Sequence, residues 1–240
     1  MPDHIDGTSG SPSRAHTIPD DPLPRQTPLA FRRIDWPVSR TVVLPPPVPP
    51  PINDFATVMA ARYSSRRIRR TSLRETANFL AFACAVKSTW GVDSLRSSRP
   101  AHSAGALHPV EVLLVAGGRR DRVFRINPLL NAIQSLRTQW TPPLKSLDAK
   151  LAVMLPHARS DYLVLLADPA VTDSYYFDPQ SLIWRDAGAL MQTLHFCATA
   201  YRLALCPAGI TGTELAAAIF GADSRLIGAG VAVIGRQAEG

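Results

Sequence analysis

Cysteine is scarce. Cys84, Cys197 and Cys206 are the three in 240 residues, too few and too scattered for a disulfide framework or a zinc site. Cys84 and Cys197 sit inside helical apolar patterns, where a thiol serves as a small core hydrophobe. Cys206 precedes Pro207 at an expected helix exit and has no base beside it in sequence. Long apolar runs are missing as well, all being interrupted well short of the roughly 18 residues that a spanning helix needs. Residues 1–21 are polar and hold no apolar signal core, so the expectation is a cytoplasmic protein with no membrane partner. The six histidines show no ligand spacing, and no metal is expected. There is no Walker loop, no zinc-protease helix motif and no Gly-x-Ser-x-Gly elbow. Gly228-Ala229-Gly230-Val231-Ala232-Val233 opens like a dinucleotide fingerprint. Too few residues follow for the crossover helix and acidic residue which that fingerprint needs.

Positive charge, by contrast, is abundant. The formal net charge is +7 and the pI about 9.8, with six arginines from Arg62 to Arg74. Such a cluster suggests a nucleic acid, a small phosphate ligand or a solvated helix start. Tyr63 is the one aromatic within it and no zinc-finger or RNP-type pattern accompanies it, so nucleic acid ranks third. Hydrophobic residues make up 46% of the chain, enough for one sizeable core and too little for two comfortable ones.

Two zones differ in composition. Residues 1–52 form a proline-rich N-terminal arm, expected to be disordered as far as Leu29. Its stretch Pro45-Pro46-Pro47-Val48-Pro49-Pro50-Pro51 favours polyproline II, because proline fixes φ and lacks an N–H. Phe31 and Trp36 give the arm something to dock with, and Thr41-Val42-Val43-Leu44 reads as a short strand; wrapping of a partner subunit would account for both. Residues 53–240 read as one α+β domain. Asn53 or Asp54 caps a first helix, and Ser72 with Glu75 forms a capping box for a second. Residues 110–116, 122–127 and 132–136 read as successive strands, with Gly117-Gly118 turning the first hairpin. A short helix is expected over 148–154 and a central strand over 161–168. A long helix is expected over 186–205, a second short helix over 213–220 and a last strand over 230–235. Helices, then antiparallel strands, then helices and a final strand define α+β rather than βαβ repeats.

Three segments carry chemistry. Arg62-Tyr63-Ser64-Ser65-Arg66 offers guanidinium forks and a hydroxyl to an anion, and Arg236 near the C-terminus offers another guanidinium. Ser103-Ala104-Gly105-Ala106-Leu107 offers a backbone with little side chain, which a flat ring can approach closely. A phosphate-tailed planar cofactor, flavin mononucleotide (FMN), fits both.

The order of these motifs resembles the nitroreductase (FMN-dependent oxidoreductase) family over residues 55–236. Arg62-Tyr63-Ser64-Ser65-Arg66 is similar to its opening Arg-x-Ser-x-Arg. Arg99-Pro100-Ala101-His102-Ser103-Ala104-Gly105-Ala106-Leu107-His108-Pro109 resembles the Arg-Pro-x-x-Ser-Ala-Gly-Ala-Leu-x-Pro block of its SagB-type, azoline-dehydrogenase-like branch. Asp186-Ala187-Gly188-Ala189-Leu190-Met191-Gln192-Thr193-Leu194 looks like its Ala-Gly…Gln-Asn-Leu helix. The resemblance implies a three-layer fold, with an antiparallel-rich central sheet flanked by helices, and a homodimer with FMN at its interface. Arg62, Ser64, Arg66 and Arg236 would hold phosphate and ribityl, and Ser103, Ala104, Gly105, Ala106 and Leu107 would support the ring. The implied activity is hydride transfer between flavin N5 and a small molecule or modified peptide in a biosynthetic pathway. Alternatives are an NAD(P)H-dependent nitro or quinone reductase, using one pocket alternately, and a non-catalytic partner subunit. Where the branch carries Lys-Tyr and following arginines, this chain has Ser174-Tyr175-Tyr176-Phe177-Asp178-Pro179-Gln180-Ser181. The implied lysine, the family's proton handler, is missing, which leaves Tyr175, Tyr176 and His102 as candidate acid–base groups.

Overall fold

Alternation along three strands decides the architecture. In β6 (Val110–Val115), Val110, Val112 and Leu114 face one core, while Leu113 and Val115 face another. β10 (Asp161–Ala167) divides in the same way, with Leu163, Leu165 and Ala167 opposite Tyr162, Val164 and Leu166. β13 (Ile227–Gln237) follows suit, with Ala232 and Ile234 opposite Val231 and Val233. Successive side chains of a strand point to opposite faces, so a strand apolar at both parities must be covered on both sides. The computed structural model, which describes residues 21–91, 95–116, 122–138 and 141–238, shows that cover. Helices α2 (Leu73–Ala83) and α5 (Gln180–Ala200) pack on one face. Helices α3 (Pro142–Met154) and α6 (Thr213–Phe220) pack on the other. The result is a three-layer α+β fold.

Among the described residues the main sheet has nine strands. From one edge they are β2 (Val38–Val43), β8 (Ala132–Leu136), β7 (Val123–Asn127), β6, β10, β13, then β3 (Ile68–Arg69) and β9 (Ala158–Arg159). β12 (Ala204–Ala208) also pairs with β13. The β3–β9 pair is parallel and the other pairs antiparallel. Outside the sheet, β4 (Ser88–Trp90) pairs with β5 (Arg96–Ser98). β1 (Leu23–Pro24) pairs with β11 (Tyr176–Phe177), which follows the short helix α4 (Pro169–Asp173).

The capping signals fold as their chemistry requires. Asp54 accepts from the Thr57 amide at the start of α1 (Phe55–Ala61), and Ser72 and Glu75 close the box on α2. Helix α6 spans the expected residues and ends at Gly221. Other boundaries differ. Helix α5 runs from Gln180 to Ala200 rather than over 186–205. The chain turns at Arg202, at φ 56°, and 204–208 forms β12 against β13. Pro207 is tolerated there because, among the described residues, β12 has no second neighbour to need its missing N–H. Helix α3 begins six residues before the expected start, with two prolines in its first turn, where an N–H has no helical partner. The last strand spans 227–237 rather than 230–235. Gly117-Gly118 lies outside the described residues.

The glycines near 228 serve packing. A Cβ on Gly228 would lie 2.3 Å from the Thr213 amide nitrogen, and the β10–β13 register slips between Gly230 and Gly228. Among the described residues no helix is long and apolar enough to cross a membrane.

Candidate functional site

The loop between β5 and β6 is held in a conformation that its composition permits and one buried carboxylate enforces. Gly105, Ala106 and His108 have φ of 59°, 57° and 50°, left-handed values uncommon for residues with a Cβ. Asp186, on α5, is 5% exposed. Its carboxylate accepts from the Ser103 hydroxyl and from the Ala104 N–H at 3.0 Å. Ser103 Oγ in turn accepts from the His108 N–H at 2.9 Å. Burial pushes the Asp186 carboxyl up, and the bonds from Ser103 and Ala104 work against that shift. Ala106 and Leu107 donate to the carbonyls of Ser103 and Ala104. Among the described residues the Gly105 N–H is the one amide of 104–108 without a partner.

His108 anchors the far end of this loop. Its Nε2 lies 2.8 Å from the Ser97 carbonyl. A carbonyl can only accept, so Nε2 carries the proton and Nδ1 is bare. Burial first, and the Arg99 charge second, push the ring's pKa down to about 4, so His108 is neutral near neutrality.

Tyr176 comes to the same loop: its hydroxyl lies 3.0 Å from the position that a Cβ on Gly105 would take. The pairing of β1 with β11 holds it there. Tyr175 lies beneath the Arg96 guanidinium, 4.7 Å from the ring centroid. His102 is exposed at the loop's start and lines a cavity of about 30 Å³ with Ser103, His108 and Asp186.

The arginine motif occupies a second place. Arg62 follows α1, with its N–H bonded to the Val58 carbonyl. The Tyr63 carbonyl accepts from His195 Nε2 of α5 at 3.1 Å. Burial lowers the His195 pKa, the bond to Tyr63 opposes this, and the Arg62 charge adds to the lowering. Ser64 is exposed. The buried member is Ser65, whose hydroxyl reaches the Gln237 side chain. Arg236, one residue before Gln237, thus lies at the same end of the sheet as residues 62–66. It is paired with Glu75, whose carboxyl is held down to about 2 by bonds from Thr71, Arg236 and Ser72. Among the described residues Arg62 and Arg66 have no ion pair.

Helix α5 separates the two places. Asp186 and His195 are nine residues apart, which is about half a turn around the helix and about 14 Å along it. Asp186 therefore meets the loop on one flank and His195 meets residue 63 on the other. Two cavities reach the loop, and neither is lined by residues 62–66 or Arg236. Tyr176 and His102 thus lie at the loop 103–107, while Tyr63 and Ser65 meet Gln237, next to Arg236, at a separate place.

Sequence reasoning missed Asp186 and Arg99 as site residues. The signal for Asp186 was an acid among the apolar residues of a helix; Arg99 was visible as the first residue of its motif. Among the described residues no group of three or more His, Cys, Asp or Glu is placed to hold a metal.

Comparison with protein-family models and with curated protein sequences finds no match to this chain. Solved structures do match it. A protein of Ralstonia eutropha JMP134 described as a nitroreductase aligns over 93% of this chain and 100% of its own, with 15% identity and a TM-score of 0.62. One of Anabaena variabilis, also described as a nitroreductase, aligns over 88% of this chain with 15% identity and a TM-score of 0.60. The match takes in 45% of that longer protein. The E. coli microcin synthetase McbBCD complex with truncated pro-MccB17 contains a chain that aligns over 84% of this one and 79% of its own, at 19% identity and a TM-score of 0.57. The chain therefore has the nitroreductase fold.

Proposed function

We propose that this chain is an FMN-dependent oxidoreductase of the SagB-like kind, acting as a homodimer on a small molecule or modified peptide in a biosynthetic pathway. The observation that carries this reading is the pinned loop. Its backbone is held left-handed by Asp186, it has one unspent N–H at Gly105, and a phenol lies beside it, all on a nitroreductase fold. The donor set suits the cofactor. Among the described residues Arg62 and Arg66 are guanidiniums without an ion pair, next to a buried Ser65, as a dianionic phosphate asks. Arg236 suits it less well, because it would have to exchange Glu75 for phosphate.

When bound, FMN supplies hydride transfer at N5. Arg62, Ser64 and Arg66 would hold its phosphate and ribityl, residues 103–107 would support the ring, and the Gly105 N–H would offer it a hydrogen bond. Tyr176 would hold or deliver a proton beside the loop, with Tyr175 and His102 flanking it. The separation across α5 supports the dimer: one bound group can meet both residue sets if each subunit supplies one of them. Resemblance to a chain of the E. coli synthetase favours a modified peptide over NAD(P)H-driven reduction of nitro or quinone compounds. The cytoplasm suits a protein whose Cys84, Cys197 and Cys206 are free thiols.

Absorbance of the purified protein tests the proposal directly. Yellow protein with flavin bands is expected, and Arg66→Ala should weaken FMN retention at least about tenfold, the scale of a charge-assisted bond. Colourless protein that refuses added FMN would overturn the proposal and leave the fold as a non-catalytic partner subunit.

A further inference from the structure

We infer that the cavity behind the loop, between it and residues 31–36, binds a small carboxylic acid whose carboxylate is gripped by Arg99. The cavity measures about 390 Å³, within the range of small-molecule pockets. Phe31, Ile34, Leu107, Leu129 and Leu226 give it apolar walls. Its polar lining holds two carboxylates, and each is closed by its own arginine. Arg125 meets Glu111 at 2.7 and 3.2 Å, and Arg225 meets Asp168 at 2.7 and 2.9 Å.

Arg99 also lines the cavity and closes no carboxylate among the described residues. Its Nε donates to Ser97 Oγ at 2.9 Å. The four N–H groups of its two terminal nitrogens have no partner among the described residues, and no carboxylate lies within ion-pair distance. Arg99 is half-buried, and the nearby Glu111 carboxylate, which favours its charge, is already bonded to Arg125, so the bidentate edge of Arg99 stays unspent. A carboxylate matches that edge in shape and cancels its single charge. The apolar walls add the requirement that the rest of the ligand be a compact hydrocarbon body. Leu107, His108 and Pro109 line the same cavity, so an acid bound there would lie directly against the loop.

Calorimetric titration with phenylacetate, and with phenylacetamide as its uncharged match in shape, tests this. Phenylacetate should bind at least about tenfold more tightly than phenylacetamide. In Arg99→Gln, with circular dichroism and melting temperature as checks on folding, that preference should vanish. Equal binding of the two compounds to the unaltered protein would overturn the inference, and this comparison stands even if the variant does not fold. A preference for phenylacetate that survives in folded Arg99→Gln would overturn it too. The inference is separate from the flavin reading, because the heat of binding is measured without colour or turnover. Flavin-free protein that still prefers phenylacetate would keep this site and lose the other.

Discussion

Acid should destabilise this protein through His108. Its pKa is pushed down from 6.5 to about 4 by burial and by Arg99, so the folded state resists a proton that the unfolded chain accepts. Above the unfolded value the contribution is constant. As pH falls below about 6.5, unfolded chains gain the proton and folded ones do not, so stability drops until about pH 4. A gap of about 2.5 units at 1.36 kcal/mol per unit gives a ceiling of about 3.4 kcal/mol. Solvent reaches part of the ring and screens it, which brings the expected loss to about 2 kcal/mol. Urea unfolding at a series of pH values should show this loss in the unaltered chain. Replacement by asparagine removes the titrating group while tolerating the left-handed backbone at this position, so His108→Asn should lose about 2 kcal/mol less over the same range. His195 also resists protonation, but it is common to both proteins and cancels. Equal pH dependence in the two, or a ring that titrates near 6.5 by NMR with its proton on Nδ1, would refute the reasoning.

Asp186→Asn leaves an amide where two N–H and O–H donors converge, so one donor loses its acceptor. A loss of about 2 kcal/mol is expected, with faster hydrogen exchange at the Ala104 amide, and unchanged exchange would remove Asp186 as the anchor. Gly235→Ala would place a Cβ 2.2 Å from the Arg69 carbonyl oxygen, forcing β3 away from β13. A loss of about 3 kcal/mol in chemical denaturation is expected, and an unchanged midpoint would contradict the packing of that edge.

The sheet was legible because its central strands are apolar at both parities and short, leaving little else for them to be. Helix α5 was misread for an instructive reason. Asp is a preferred N-cap, so Asp186 looks like a helix start; the true start at Gln180 follows Pro179, which makes no side-chain cap bond. The carboxylate that mimics a cap is buried mid-helix and spent on a loop 82 residues away, a partnership that no local pattern reveals. Strand β12 hid for a different cause: Ala-Leu-Cys-Pro-Ala is apolar, short and contains proline, so it reads as the tail of the preceding helix. Within the site, loop composition announced a close approach. The unspent edge of Arg99 and the neutrality of His108 depend on distant neighbours and were invisible.

Segment 174–177, where the chain departs from the resemblance that guided its reading, is built into the structure. Ser174 is 2% exposed and its hydroxyl donates to the Val171 carbonyl at 2.7 Å, closing the end of α4. A lysine there would have to expel that packing. The backbone around it is also taken: the Ser174 carbonyl accepts from Leu29 and the Tyr175 carbonyl from Arg25, each at 2.8 Å. Arg25 goes on to pair with Asp173 and to lie 3.8 Å over the Phe177 ring. A strand, an ion pair and a cation–ring contact from residues 23–29 thus hold this segment. These contacts set the strand that carries Tyr176, and Tyr176 is the side chain whose hydroxyl meets the loop at Gly105. On the proposed reading, proton handling falls to a phenol whose placement depends on residues 23–29.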